Sequence, residues 1–453
     1  MTTYFAKKIF LEEGWAENVH ISINKGSIAK LSIEKQKTPS IEDELDIVIP
    51  GITNSHSHSF QRALSGFTER GSNRSNDTFW TWREKMYQLV DNLDTRSIYT
   101  IAKQAYFEMM MRGYTTVVEF HYFHRDNQNK HINNDIFHAL LEAANESGIN
   151  LVYTPILYQR GGFKDKELTK EQKKFYSTIK EFLGHYSYAK SILMDPHSIA
   201  IGAHSLRAVG EDALKEIVKL HESEQIPFHI HIAEQQQEVD EFKCTHGERP
   251  VEWLLNNYDV NENWCLVHAT HINENELKKL AQTKSVVCLC PTTEANLGDG
   301  IFQLKNYDSH GGSFTIGSDS NISIDPFEEL RWLEYSQRLI HQKRNIVSEE
   351  SMGTGQYLFK KILTGGALSS GQRSNGHIKE GAPANLIVLS DENASLAGHK
   401  NETLFDAIVF SNHSELIHKV MINGEWVKFP SQENKEIKKH KKSYSTLLGR
   451  ILN

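Results

Sequence analysis

Between residues 51 and 375 the sequence alternates an apolar, strand-like run with a helical stretch eight times over. The runs fall at 52–58, 115–122, 150–157, 199–204, 227–233, 264–268, 285–290 and 314–318, with helical stretches such as 98–112 and 136–147 between them. Strands this uniformly apolar need cover on both faces, and strands separated by helices run parallel. Eight such units over about 325 residues predict a (β/α)8 TIM-like barrel, an α/β fold whose active sites lie at the C-terminal mouth.

The flanks have a different period. Val19, Ile21 and Ile23 alternate with polar residues, Asn24-Lys25-Gly26 is a turn signal, 28–31 returns the chain, and Ile47-Val48-Ile49 leads through Pro50-Gly51 into the first barrel run. Past about 375, the runs 384–389, 407–410 and 420–422 read as strands, the last preceding an Asn423-Gly424 turn. The two ends, 1–50 and 376–430, are therefore expected to build one small β-sandwich domain beside a metal-dependent barrel at 51–375. The remaining 431–453 carries the basic run 435–442, expected as a solvated helix or a loose tail.

Composition narrows the class. The 39% hydrophobic and 24% charged residues are those of a globular chain and exclude collagen-like or wholly disordered ones. With 50 Lys and Arg against 58 Asp and Glu, the net charge of −8 argues against a nucleic-acid partner. No apolar run approaches the roughly 18 residues of a membrane span, and the first eight residues show no secretory signal. Cys288 and Cys290 share a strand face, a poor disulfide geometry and the wrong spacing for a zinc knuckle. The expectation is a cytoplasmic protein with reduced thiols.

Four strand ends carry the chemistry. In Asn54-Ser55-His56-Ser57-His58 the two imidazoles lie two apart and point to one side, so both can reach one metal ion from the barrel mouth. Phe228-His229-Ile230-His231-Ile232-Ala233-Glu234 places His231 at a strand end and Glu234 three residues on, where a carboxylate reaches the substrate side. His229 lies one layer deeper and reads as a packed or supporting histidine. The run 264–268 ends in His268, and Gly317-Ser318-Asp319-Ser320 ends the eighth in Asp319, able to ligate metal and take a proton from water. Each pattern alone is weak, but the four together form a constellation.

That constellation resembles the amidohydrolase superfamily, which joins a (β/α)8 barrel to a flanking β-sandwich. The resemblance extends to Gly381-Ala382-Pro383-Ala384-Asn385-Leu386-Ile387-Val388-Leu389, with Asn385 where the family usually has Asp. It implies that His56, His58, His231 and Asp319 hold one divalent ion, and that Glu234, His268 and Asp319 are catalytic. Three neutral imidazoles and a carboxylate suit zinc, and iron or another first-row ion fits as well. Two-metal members carry a lysine at the end of strand four; His204 stands there instead, and His231-x-x-Glu234 with His58-x-x-Gln61 is similar to the one-metal deaminase branch.

Longer motifs resemble one family of that branch, the formimidoylglutamate deiminases of histidine breakdown. They are Phe79-Trp80-Thr81-Trp82-Arg83, Glu119-Phe120-His121-Tyr122, His204-Ser205-Leu206-Arg207-Ala208-Val209 and Thr293-Glu294-Ala295-Asn296-Leu297-Gly298-Asp299-Gly300. Gly202-Ala203-His204 departs from the pattern, which has Pro before the His. The resemblance implies hydrolysis of N-formimino-L-glutamate to N-formyl-L-glutamate and ammonia, by a homodimer. Gln61 would meet the formimino end; Arg83, Tyr122, His204 and Arg207 would meet the dicarboxylate, for which planar guanidinium is suited. Trp80 and Trp82 are expected to pack a loop rather than touch substrate. The competing readings are a purine or pyrimidine deaminase, which needs stacking and neutral partners, a two-metal amide or imide hydrolase, and a non-catalytic barrel.

Overall fold

The computed structural model describes residues 1–33, 43–69, 77–411, 416–427 and 435–452. Four strands open the chain: β1 (Thr2–Leu11), β2 (Gly14–Asn24), β3 (Ser27–Ile33) and β4 (Glu44–Pro50). Nine parallel strands follow: β5 (Ile52–Ser57), β6 (Tyr114–His121), β7 (Asn150–Leu157), β8 (Ser198–Ile199), β9 (Ile201–Ser205), β10 (Phe228–Ile232), β11 (Trp264–His268), β12 (Val286–Leu289) and β13 (Ser313–Ile316). Eight lie side by side in chain order, while the two-residue β8 is an offshoot of β7, so the expected run 199–204 is split. Every residue of β6 and β7 is buried, as helices on one side and barrel interior on the other require.

The helices between them follow local rules. Thr95–Met111 starts where the Asp94 carboxylate accepts the Ser97 N–H, and it buries Ile98, Ile101, Ala102, Ala105 and Met109 along one stripe. Asn133–Ser147 ends at Gly148, whose φ of 83° makes the left-handed cap.

The barrel closes at its mouth. Between β13 and β5 the link is a single bridge, Ser57 to Asp319, with Asp319 N–H donating to His56 O and His58 N–H to Asp319 O, both at 2.9 Å. A Cβ on Gly317 would stand 2.7 Å from that of His56, so only glycine permits this approach. Asn54 and Ser318 exchange hydrogen bonds at 2.6 and 3.0 Å, and the Asn321 amide donates to His58 O at 3.1 Å. These buried amides tie the first strand end to the eighth.

The chain ends add β14 (Leu386–Leu389), β15 (Ile417–Ile422) and β16 (Glu425–Trp426), giving a seven-stranded sheet in the order β16-β15-β14-β4-β1-β2-β3. Phe10, Ile47, Ile49, Ile387 and Leu389 face the barrel core, whereas Ala6, Val19, Ile21, Val48, Leu386 and Val388 form a second core on the other face. Instead of two separate layers, one sheet rolls until its wings meet. Ile28 N–H donates to Ala382 O at 2.9 Å, Ala384 N–H to Gly26 O at 2.8 Å, and a Cβ on Gly26 would stand 2.9 Å from Asn423 O.

One expected strand is a helix, and the tail takes the helical of its two expected forms. Residues 407–410 belong to a helix, Asn401–Phe410, not a strand: Leu404, Phe405 and Ile408 complete a helical stripe buried against the barrel side, which four apolar residues could not reveal. The basic tail is a helix, Lys435–Ile451, whose far end docks through buried Leu447 and Ile451 and an Arg450–Ser97 hydrogen bond of 3.2 Å. Residues 34–42, 412–415 and 428–430 of the expected sandwich, and 431–434 and 453 of the tail, lie outside the described residues. No described helix is long and apolar enough to cross a membrane. All four cysteines are free.

Candidate active site

At the barrel mouth, one donor atom from each of His56, His58, His231 and Asp319 lies within 4.8 Å of the others, and all four residues are buried. His56 Nε2 stands 3.2 Å from His58 Nε2 and 3.0 Å from His231 Nε2; Asp319 Oδ1 is 3.2 Å from His58 Nε2 and 3.4 Å from His56 Nε2. The backbone holds the rings in this pose. His58 Nδ1 donates to Phe120 O at 2.9 Å and His231 Nδ1 to His204 O at 3.0 Å, which leaves each neutral ring with its lone pair on Nε2, facing the centre. Burial pushes His56, His58 and His231 below the usual histidine range, with neighbouring imidazoles adding to this for His56 and His231. His56 has one ring proton to offer, so at least one pair of these lone pairs repels unless a cation sits among them. Three neutral imidazoles and a carboxylate therefore fit a single divalent ion. His229 is not part of this group: its Nε2 donates to Ser369 O at 2.9 Å, deeper in the barrel.

The strand ends turn sharply. Ala233 after β10, His268 and Ala269 at the end of β11, and Asp319 and Asn321 after β13 all have φ between 45° and 69°, a region that side-chain-bearing residues seldom occupy. Such strain gathers where side chains must be aimed against local preference. At β9 a register shift opposite Ile230 and His231 breaks the ladder beside His204, whose ring packs 5.0 Å from His231 and 5.1 Å from Tyr122. Ala203 in place of the expected Pro leaves His204 at the mouth.

Around the centre lie groups able to carry protons. His268 Nε2 is 3.8 Å from Asp319 Oδ2, and its Nδ1 is 3.1 Å from Glu294 Oε1. Burial opposes charge on this ring, but the Glu294 hydrogen bond and the nearby Glu234 carboxylate outweigh it and raise its pKa. Burial lifts Glu234 to about 7; Glu238 and Asp319 add to this and His268 opposes it. A carboxyl group so poised can both take and give a proton near neutrality.

The centre opens into a narrow cleft. His58, Gln61, Arg83, Tyr122, His204, Arg207, His231, Glu234, His268 and Asp319 all line it, so the anticipated substrate-side residues converge with the anticipated ligands. Gln61 donates through Nε2 to Tyr122 OH at 2.9 Å and leaves Oε1 buried without a partner. Arg207 is buried, with Nη1 unpaired, and neither Arg83 nor Arg207 has an ion-pair partner among the described residues. Burial lowers Arg83, and the adjacent Arg207 adds to the effect. Two neighbouring cations facing a cavity form a receptor for anionic groups.

Some residues escaped the sequence reading. Trp82, expected only to pack, lines the cleft with Tyr158 and Phe175, whereas Trp80 lies under Arg83. Glu238 accepts the Glu234 N–H at 3.2 Å; its position four residues after Glu234 was the available signal. Glu294 lay inside a quoted motif, but nothing local tied it to His268.

Comparison with known proteins adds independent findings. Residues 47–427 match the profile of the amidohydrolase family, and residues 1–46 match that of the N-terminal domain of formimidoylglutamate deiminase HutF. The chain is 38% identical over 431 residues to the formimidoylglutamate deiminase of Pseudomonas aeruginosa, covering 94% of each. An amidohydrolase crystal structure from Brucella melitensis superposes with a TM-score of 0.94 at 33% identity, covering 100% of both chains. A zinc-bound adenosine deaminase from Xanthomonas campestris superposes with a TM-score of 0.82 at 17% identity, covering 99% and 98%, a likeness of fold alone.

Proposed function

The chain belongs to the amidohydrolase family and, within it, to the formimidoylglutamate deiminases, a hydrolase acting on C–N bonds, and we propose that its substrate is N-formimino-L-glutamate, converted to N-formyl-L-glutamate and ammonia. The observation that carries the substrate class is the pair of cavity guanidiniums, Arg83 and Arg207, neither in a direct ion pair among the described residues although Glu234 and Glu238 lie near Arg207. A dicarboxylate supplies direct partners; a purine or pyrimidine ring would leave both cavity cations without one.

His56, His58, His231 and Asp319 would hold the metal, which we assign as zinc. When bound, a divalent ion there supplies Lewis acidity, so that water becomes a competent nucleophile near neutral pH. The chain does the rest. Asp319 receives the proton that water gives up as it adds to the formimino carbon, and His268, held by Glu294, orients Asp319. Glu234 delivers a proton to the departing nitrogen, so that ammonia leaves rather than an amide anion. Gln61 Oε1, buried and unpaired, accepts an N–H from the formimino group, and Tyr122 holds the Gln61 amide in that pose. Arg83 and Arg207, with His204, bind the carboxylates. The same reading makes the protein a cytoplasmic homodimer of histidine breakdown, with 1–50 and 376–430 forming one domain around the 51–375 barrel.

The test is ammonia release by the metal-loaded protein from N-formimino-L-glutamate, run beside guanine, cytosine, adenosine and N-formimino-L-aspartate with a chelated control. Chelator-sensitive turnover of the glutamate derivative alone is expected. Turnover of a ring in its place would overturn the carboxylate reading while keeping the metal chemistry.

A further inference from the structure

Arg83 and Arg207 have a second aspect. Besides lining the catalytic cavity, both line a separate surface cleft, bounded by Trp80, the loop 161–166 and one side of the helix Gln236–His246. Trp80 stands at the partition: its ring centre is 4.3 Å from the guanidinium carbon of Arg83 and 5.9 Å from that of Arg207. Stacking of this kind holds a cation in place without neutralising it.

The loop that forms the outer rim is tightly built. Gly161 N–H donates to Lys166 O at 2.8 Å, and a Cβ on Gly161 would stand 2.4 Å from Glu167 O. Lys164 and Asp165 are consecutive left-handed residues, with φ of 56° and 53°. Backbone in this region is held at a cost, and here it separates three neighbouring charges. Asp165 turns to Arg160 at 2.8 Å, while Lys164 and Lys166 line the cleft, exposed and without an ion-pair partner among the described residues. On the facing helix, Asp240 and Glu241 are each occupied by a glutamine of the same helix, Gln236 at 2.8 Å and Gln237 at 2.7 Å. Four cations thus outnumber two carboxylates, a local excess of positive charge on a protein whose net charge is −8. A local positive cleft on a negative protein concentrates small anions there and repels them elsewhere.

We propose that this cleft is an antechamber for small dicarboxylates, captured by Lys164 and Lys166 and passed to Arg83 and Arg207, which serve the cleft and the catalytic cavity together. The proposal rests on the dicarboxylate reading of the active site. The same cations assist the departing product, which keeps both carboxylates.

The experiment uses the metal-loaded full chain and a Lys164→Ala/Lys166→Ala double variant, with kcat and KM for N-formimino-L-glutamate measured from low to high salt. Both lysines are exposed, so the melting temperature should match that of the parent. At low salt the variant should lose roughly three- to tenfold in kcat/KM with kcat unchanged. The two proteins should converge by about 0.5 M salt, where charge interactions are screened over a few ångströms. A variant with the parent's kcat/KM at low salt overturns the antechamber, as does a deficit of equal size at every salt concentration. If the parent itself does not turn over N-formimino-L-glutamate, the functional reading falls and takes the antechamber with it. Turnover without the salt-dependent difference removes the antechamber alone.

Discussion

Nδ1 of His268 lies 3.1 Å from Oε1 of Glu294, and that same oxygen accepts the backbone N–H of Cys290 at 2.9 Å. The peptide anchors the carboxylate, and the carboxylate sets the ring: with its Nδ1 proton directed at Glu294, His268 presents Nε2 towards Asp319. Supporting carboxylates of this type keep an imidazole in one tautomer and make its other nitrogen a better base.

Replacing Glu294 by Ala should lower kcat about 10- to 100-fold, with KM nearly unchanged and the metal retained. Glu294→Gln keeps an oxygen in the same place and should recover part of the loss. Steady-state kinetics with metal analysis would check this; an Ala variant with parental kcat would leave Glu294 a purely structural group.

Removing the metal with a chelator should abolish turnover and lower the melting temperature, because it leaves buried donor atoms 3.0–3.4 Å apart with nothing between them. Added zinc should restore both properties. His231→Ala should purify with little metal, and full metal occupancy in that variant would remove His231 from the ligand set.

Arg207→Ala should weaken kcat/KM by about 1.5–3 kcal/mol, the scale of a charge-assisted hydrogen bond. The effect should be far smaller for an uncharged amidine substrate. A near-parental kcat/KM for the dicarboxylate would place Arg207 outside the binding site.

Glu234→Gln should keep the metal and lose turnover by about 100-fold or more, since the amide cannot relay a proton. Metal analysis of the purified variant decides the role: loss of the ion would make Glu234 a ligand.

Glu119, which supports the first strand end beside His58, offers a test of pH and stability. Its Oε1 accepts Ser59 N–H at 2.8 Å and Ser59 Oγ–H at 2.7 Å, yet burial still lifts its pKa from 4.5 to about 7. Between those values the folded chain holds a proton that the unfolded chain has released. Its stabilising contribution is therefore complete below about 4.5, declines as pH rises through 7, and is constant above. Glu119→Gln cannot titrate, so its unfolding free energy relative to the parent should improve from pH 5 to pH 8, by an amount on the order of 2–3 kcal/mol at most. A relative stability that is the same at both pH values would show that Glu119 is not held protonated by the fold.

Much of the barrel was legible because its signals are local. A buried parallel strand is an apolar run a few residues long, and the parity of His56 and His58 puts both rings on one side whatever the rest of the chain does. The run 407–410 misled for the same reason: four apolar residues fit a strand or a helix, and only Leu404 and Phe405 packing against the barrel side decided the matter. Trp82 was set aside because a tryptophan in a loop usually packs, and its place in the cleft depends on how the helix Phe79–Asp91 lies across the mouth.

By itself, the sequence determined the eight strand–helix units and the residues that end the first, fifth, sixth and eighth of them. These depend on periodicity and strand parity, both settled within a few residues. Only the tertiary structure decided that four strand ends meet at one point, that Glu294 reaches His268 across 26 positions, and that Arg83 and Arg207 share Trp80 between two cavities. Those relationships follow from closure of the barrel and the register of its strands, which bring distant segments within a hydrogen bond of each other and which no local pattern encodes.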